Sequence, residues 1–346
     1  MPKTITTELL QWFSINKRDL PWRKTKAPYF IWLSEIIFQQ TRISQGLEYY
    51  KRFVEKYPDI FSMSAASEDE VLKLWQGLGY YSRARNMLKT ARQIVENYNG
   101  TFPNDLKELL KLKGIGEYTA SVILSVCFGK PYPVIDGNVN RLISRLYNIH
   151  DFIDVPTGQK QIKAKLDKLI DQIQPGNFNE AMMDFGAMVC TPQKPDCPHC
   201  PLQQYCEAFS KGFVEVLPMK TAKKENRKRA FHYFFIRTPN GILLKQRTEK
   251  DIWHNLFDFP MIELKATQEL NDELLKAYFG TDVKLYSLIE EIKHKLTHQE
   301  LTLYFYEVNF SDMPPRFLDV GFAELSKYAV PKPIENFLKS FVQLPE

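Results

Sequence analysis

No apolar run in this 346-residue chain approaches the ~20 residues needed to cross a bilayer. The opening MPKTITTELLQWF has no basic segment followed by an apolar stretch, so no secretory signal is visible, and a soluble, intracellular, cytoplasmic protein is expected. Charge of one sign is also lacking. Lys and Arg number 46 against 41 Asp and Glu, a net charge of +5 that is compatible with a polyanionic partner without requiring one. Internal repeats and long low-complexity segments are absent. A hydrophobic content of 44% is ample for real cores, which excludes a mainly disordered chain, and the length favours two domains.

Cysteine is scarce and unevenly placed. Of five, Cys127 lies in the apolar run SVILSVCFG, while Cys190, Cys197, Cys200 and Cys206 form C-x6-C-x2-C-x5-C. Four thiolates this close can surround one soft metal centre, a zinc ion or an iron–sulfur cluster, and the spacing alone does not separate the two. Pro192, Pro195, Pro198 and Pro201 stiffen the loop between them. Two disulfides are disfavoured because nothing points to export.

Up to about residue 210 apolar residues recur at three- and four-residue intervals, as in EDEVLKLWQGL, RARNMLKTARQIVENY and VNRLISRLYNI, predicting a bundle of about ten helices. Ser67 with Glu70 reads as a capping box, and Asn104-Asp105 as a cap before LKELLKL. Lys220–Arg229 carries six basic residues against one Glu and reads as a solvated linker or a nucleic-acid contact. Beyond it AFHYFFIR, GILLKQR, VKLYSLIEEI and LTLYFYEV are strand-like, and DELLKAYFG and PIENFLKSFVQ helical, giving an α+β second domain. Pro239-Asn240-Gly241 is a turn signal between the first two strands. The expected division is a helical domain over 1–216, a basic linker over 217–229 and an α+β domain over 230–346.

Four segments carry candidate chemistry. In PYFIWLSEIIFQQTRI, Glu35 is the only acid of an apolar helix; burial there would raise its pKa toward neutrality and fit it for general-acid work, whereas a place on the solvent edge would leave it ordinary. Gln39, Gln40, Thr41 and Arg42 follow as a polar cluster suited to hydrogen bonding with bases. In LKGIGEYTASVIL, Gly114 and Gly116 suit either an anion nest at a helix start or a plain helical hairpin. In VIDGNVNRLISRL, Asp136 is an N-cap, or a second carboxylate facing Glu35 in the arrangement that breaks glycosidic bonds. In WQGLGYYSRARN, Tyr80 and Tyr81 with Arg83 and Arg85 suit base stacking beside a phosphate backbone.

Together LPWR, WLSEIIFQQTR, GLGYYSRARN, LKGIGEYTA, IDGNVNR, NEAMMDFGAMVC and the cysteine loop resemble the helix–hairpin–helix DNA glycosylases with an iron–sulfur loop, and within them the MutY-type adenine glycosylases. The resemblance covers nearly the whole chain. It implies a mainly α N-terminal helix–hairpin–helix glycosylase domain with a cluster loop, followed by an α+β Nudix-like domain. It also implies a 4Fe–4S cluster on Cys190, Cys197, Cys200 and Cys206, and a duplex DNA partner containing A:8-oxoguanine or A:G mispairs, bound by a monomer with no membrane involved.

By the same resemblance Glu35 protonates the adenine, Asp136 stabilises the cationic sugar, and Tyr118 and Asn138 assist. Arg18 and Arg23 line the adenine site, and Asp184, where many relatives carry Glu, is placed among the residues that contact the adenine. Gln40 is the wedge into the duplex, Tyr80 stacks beside the oxidised guanine, Thr41 and Leu78 contact the opposite base, and Gly114 and Gly116 hold phosphates. Leu296, Thr297 and His298 match a Phe-Ser-His loop that reads the oxidised guanine, with the first two positions changed. The related endonuclease III has lysine in place of Tyr118; tyrosine forms no Schiff base, so base removal without strand cleavage is expected. A lyase-competent pyrimidine glycosylase and a non-catalytic DNA-binding protein are the alternatives. The acidic helix of active Nudix enzymes is missing between about 255 and 290, so no phosphohydrolase activity is expected.

Overall fold

A computed structural model describes residues 4–222, 225–265, 268–280, 283–310 and 316–341. The chain divides into two compact units, Met1–Ala65 with Asn86–Ala222, and Ala66–Arg85 with Lys223–Glu346.

The helices of the N-terminal two-thirds are α1 (Ile5–Asn16), α2 (Pro28–Phe38), α3 (Ile43–Lys56), α4 (Ile60–Ala65), α5 (Glu68–Trp75), α6 (Ser82–Tyr98), α7 (Leu106–Lys111), α8 (Glu117–Val122), α9 (Gly137–Leu146), α10 (Pro156–Leu169), α11 (Pro175–Met188) and α12 (Glu207–Lys211). Their ends follow the sequence signals. Ser67 and Glu70 form the expected capping box on α5, Asp105 caps α7 through the N–H groups of Lys107 and Glu108, and Asp136 caps α9. α8 runs on into a π-helical turn over Ile123–Cys127. One core joins α1, α9, α10 and α11 through Leu9, Phe13, Leu142, Ile143, Leu166, Phe178 and Phe185, with Cys190, Cys200 and Cys206 packed at its margin.

The second unit holds β1 (Arg227–Phe235), β2 (Gly241–Gln246), β3 (Phe257–Asp258), β4 (Met261–Leu264), α13 (Asp272–Phe279), β5 (Val283–Lys295), β6 (Gln299–Phe310), β7 (Leu318–Gly321) and α14 (Lys332–Phe341). One sheet has the order β4-β1-β6-β5, the other β3-β2-β7. β1 and β6 pair in parallel from Arg227↔Gln299 to Phe235↔Glu307. The turn after β1 forms where expected, but β1 and β2 then part into different sheets and meet only in the bridge Arg237↔Ile242. The stretch read as a basic linker also ends early. β1 begins at Arg227, and Arg229 is buried, its guanidinium bonded to Asp251 (2.6 and 3.0 Å) and Glu263 (2.6 and 2.7 Å), so this arginine is a structural ion pair rather than a nucleic-acid contact.

Candidate active site

α2 starts with Pro28 at its first turn and buries Tyr29, Ile31, Trp32, Leu33, Ile36 and Ile37, so it is covered on nearly every side. Glu35 is carried into this apolar surrounding and opens onto a cleft of about 840 Å³, whose walls include Arg23, Gln39, Tyr118, Asp136 and Asn138. Burial pushes the Glu35 carboxyl up to about 7. A hydrogen bond from Tyr118 and the charge of Arg23 oppose this, while the charges of Asp136 and Glu180 add to it. Burial and the nearby Glu35 hold the Tyr118 phenol well above its usual range, so it stays a hydrogen-bond donor. Its hydroxyl also lies 3.7 Å from the sulfur of Met183.

Asp136 enters the cleft from the start of α9. Its carboxylate accepts the Val139 N–H at 2.7 Å and the Asn138 side-chain amide at 2.9 Å. Burial still raises it above the ordinary Asp value, these bonds and Arg141 resisting. Two carboxyl groups therefore share one cleft, and the capped one is the more easily ionised. Asn138 is held in turn by Arg141 at 3.0 Å, and Arg141 also donates to the carbonyls of Gly186 (2.6 Å) and Cys190 (2.7 Å), tying the start of α9 to the start of the cysteine loop. Gly186 is needed here because a Cβ would come within 2.9 Å of the Asn138 carbonyl oxygen.

Asp184 is placed differently from the sequence expectation. Its side chain is fully buried and does not line the cleft. It receives Arg18 through Nε at 2.8 Å and through a short Nη2 contact, and Arg23 at 2.7 and 3.0 Å. Burial alone would raise its carboxyl, but the hydrogen bonds from Arg23 and Arg18 outweigh this and hold it below its usual range. Its carboxylate is thus spent on aiming two arginines that do line the cleft, and it is a positioning residue. Gln40 and Thr41 lie on the cleft wall, Gln40 exposed with φ of 58°. Gly114 and Gly116 lie away from the cleft lining, in the turn before α8; Gly114 has φ of 84°, and a Cβ there would sit 2.9 Å from the Cβ of Asn86.

The remaining expected residues meet in the second unit. Leu78, Tyr80, Leu296, Thr297 and His298 line one pocket of about 410 Å³ together with Arg85 and Trp253. The Tyr80 hydroxyl and the Thr297 hydroxyl are in direct hydrogen-bond contact. Segments more than 200 positions apart in sequence, the GLGYY turn and the β5–β6 connection, are brought together at this one place.

Residues 33–172 match the HhH-GPD superfamily of base excision DNA repair proteins, and residues 232–340 match the NUDIX domain. The chain is 35% identical over 345 residues to an adenine DNA glycosylase of Buchnera aphidicola from Schizaphis graminum, covering 96% of this chain and 97% of the relative. It belongs to the adenine DNA glycosylase family. A thermostable thymine-DNA glycosylase matches 60% of the chain and 95% of its own length at TM-score 0.56 and 28% identity. Endonuclease III in a non-covalent DNA complex matches 60% of the chain and 94% of its own length at TM-score 0.52 and 27% identity. The protein is therefore a DNA-binding N-glycosylase of base excision repair, with an endonuclease III-like helical fold and a Nudix-like C-terminal domain. Among the described residues no helix is long and apolar enough to cross a membrane.

In this member of the family Cys190, Cys197, Cys200 and Cys206 line one small cavity of about 20 Å³ with Leu142, Phe185 and Leu202. Arg145, almost fully buried, holds the loop there: it donates to the Cys190 sulfur at 3.4 Å, the Thr191 carbonyl at 2.7 Å and the Pro192 carbonyl at 3.2 Å. Burial pushes the Cys200 thiol up to about 12 and raises Cys197 and Cys206 as well. Thiolates in so apolar a cavity need a cationic partner, and the donor set fits a metal–sulfur group.

Two residues, one beside the cleft and one on its wall, were not singled out from the sequence. Glu180, one turn before Asp184 on α11, lies 3.4 Å from Arg23 and its charge reaches Glu35. Met183 lines the cleft. Acids at i and i+4 on the otherwise apolar NEAMMDFGAM were the available signal for the first; a methionine on an apolar helix gave none.

Proposed function

We propose that the protein removes adenine mispaired with 8-oxoguanine or guanine in duplex DNA, hydrolysing the N-glycosidic bond and leaving the strand intact. The observation that carries this reading is Glu35, a carboxyl near neutrality in its proton affinity, sharing a cleft with the capped Asp136. An adenine taken out of the stack would enter this cleft. Glu35 gives its proton to the ring nitrogen and makes the base a better leaving group. Asp136, held ionised by Val139 and Asn138, stabilises the oxocarbenium-like sugar. Glu35, now a carboxylate, steers water to the sugar carbon. Tyr118 donates to that carboxylate, while Arg18 and Arg23, aimed by Asp184, flank the base.

Gln40 fills the gap in the duplex, with Thr41 beside it. Tyr80, Leu78, Leu296, Thr297 and His298 read the base opposite, and the turn at Gly114 and Gly116 holds phosphates. The absence of lysine from the described cleft lining supports base removal without Schiff-base chemistry.

Cys190, Cys197, Cys200 and Cys206 would hold a 4Fe–4S cluster. Four thiols lining one apolar cavity, in a chain similar to adenine DNA glycosylases and endonuclease III, support this reading. When bound, such a cluster would supply a fixed centre of thiolate ligation that orders the loop.

The test is incubation with duplex carrying adenine opposite 8-oxoguanine. Released adenine with no nicking before alkali is the expected result. Nicking without alkali, with a borohydride-trapped adduct on oxidised-pyrimidine DNA, would favour the lyase reading instead.

A further inference from the structure

The pocket that holds Tyr80 and Thr297 contains a residue the adenine-glycosylase reading leaves without a role. Trp253 lines it beside Leu296, Thr297 and His298. Its backbone is left-handed, with φ of 60°. Among the described non-glycine residues with positive φ, the other positions are polar or basic except Tyr80, with φ of 49°. The two aromatic side chains held in this disfavoured region are therefore both on the wall of one pocket. A bulky residue in that region is a conformational outlier that persists only where the surroundings over-determine it.

The surroundings of Trp253 do so. Arg85 donates to the His254 carbonyl at 2.7 Å, and the Asn255 N–H to the Arg247 carbonyl at 2.7 Å. Arg247 Nε reaches the Ile252 carbonyl at 3.2 Å, and the preceding Asp251 is gripped by the buried Arg229. The turn over residues 251–255 is thus pinned on both sides of the indole. The ring itself is only half-buried, edge-on to Phe231 at 6.2 Å and tilted against His294 at 6.0 Å. The ring packs at the margin of the core that holds Phe231 and also lines the pocket.

Apart from Tyr80, no other wall residue brings an exposed Phe, Tyr or Trp ring to the pocket. Tyr81 is buried and its hydroxyl accepts the Gly77 N–H at 3.2 Å, and Leu296 brings no aromatic face. We propose that Trp253 is a stacking platform for the purine opposite the excised adenine, a specificity residue of the Tyr80–Thr297 pocket. This rests on the proposed function for the identity of the base, but its test reads binding and not base removal.

The experiment uses full-length Glu35→Gln protein, in which chemistry is blocked, with and without Trp253→Leu. Affinity is measured for three duplexes with adenine opposite 8-oxoguanine, guanine or a baseless tetrahydrofuran site. Base–aromatic stacking is worth about 1–3 kcal/mol, so Trp253→Leu should weaken binding about tenfold where a purine stands opposite and leave the baseless duplex unchanged. Trp253→Phe should fall between Leu and Trp. An equal loss on all three duplexes would make the residue structural and overturn the proposal, as would no loss on any. Adenine release by the unmodified protein is read separately: its failure would sink the proposed reaction without touching the binding pattern, and an unchanged binding pattern would sink the platform while leaving the reaction standing.

Discussion

Tyr118, on the helix after the glycine turn, gives its hydroxyl to Glu35 on the apolar helix α2, and the carboxyl it meets has a proton affinity near neutrality. The bond favours the ionised form, whereas burial favours the neutral form and prevails. Adenine release under single-turnover conditions should therefore be fastest below neutrality and fall as pH rises through about 7, because the acid is lost. In Tyr118→Phe the hydroxyl no longer supports the carboxylate, so this limb should move to higher pH. A limb that moves down, or stays in place, would remove the pair from the mechanism. On the acid side a second limb belongs to Asp136 and should lie above 3.8, since burial raises that group.

The same shift bears on folding. Glu35 binds its proton more tightly folded than unfolded, so its contribution to stability is complete below about 4.5 and is lost as pH rises toward about 7. Glutamine carries no such dependence. The Tm of Glu35→Gln relative to the natural protein should accordingly be higher at pH 8 than at pH 5. Parallel Tm curves across this window would show that Glu35 is not held in an apolar setting.

Much of this site is legible in the sequence, for identifiable reasons. Glu35 stands out because a single acid in PYFIWLSEIIF has nowhere polar to go, and Asp136 because Asp-Gly-Asn before an apolar periodicity is a capping pattern. What the sequence hides are pairings made at long range. Asp184 looks like a cleft residue because its neighbours are, yet α1 and α11 pack so that Arg18 and Arg23 close over it. Arg229 sits in a run of like charge that reads as solvated, yet β1 starts two residues earlier and carries it between Asp251 and Glu263. The parallel pairing of β1 with β6 and the departure of β2 into another sheet are likewise invisible to local alternation.

Asp184 gives a prediction that separates positioning from contact. Asp184→Asn leaves two guanidinium groups without their shared anion, one of them almost buried. Breaking a buried pair from one side costs about 3–5 kcal/mol. Thermal or denaturant unfolding should show a loss of this size, accompanied by weaker adenine release. A near-neutral substitution would mean that Arg18 and Arg23 find other partners.

The cysteine cavity is tested by its metal. Aerobically purified protein should be yellow-brown with about four irons per chain, the content of one 4Fe–4S cluster. Stoichiometric zinc with no visible absorbance would contradict the reading. Substituting Arg145 should loosen the loop that carries Cys190, because three of its hydrogen bonds end at Cys190, Thr191 and Pro192, and should reduce bound iron.

Base removal turns on one proton, and a single comparison tests its source. Glu35→Gln and the natural protein are each saturated with duplex carrying adenine opposite 8-oxoguanine at pH 6, and released adenine is followed over one turnover. The variant should bind the duplex as tightly as the natural protein and release no measurable adenine. Release at a near-normal rate would show that the proton comes from elsewhere.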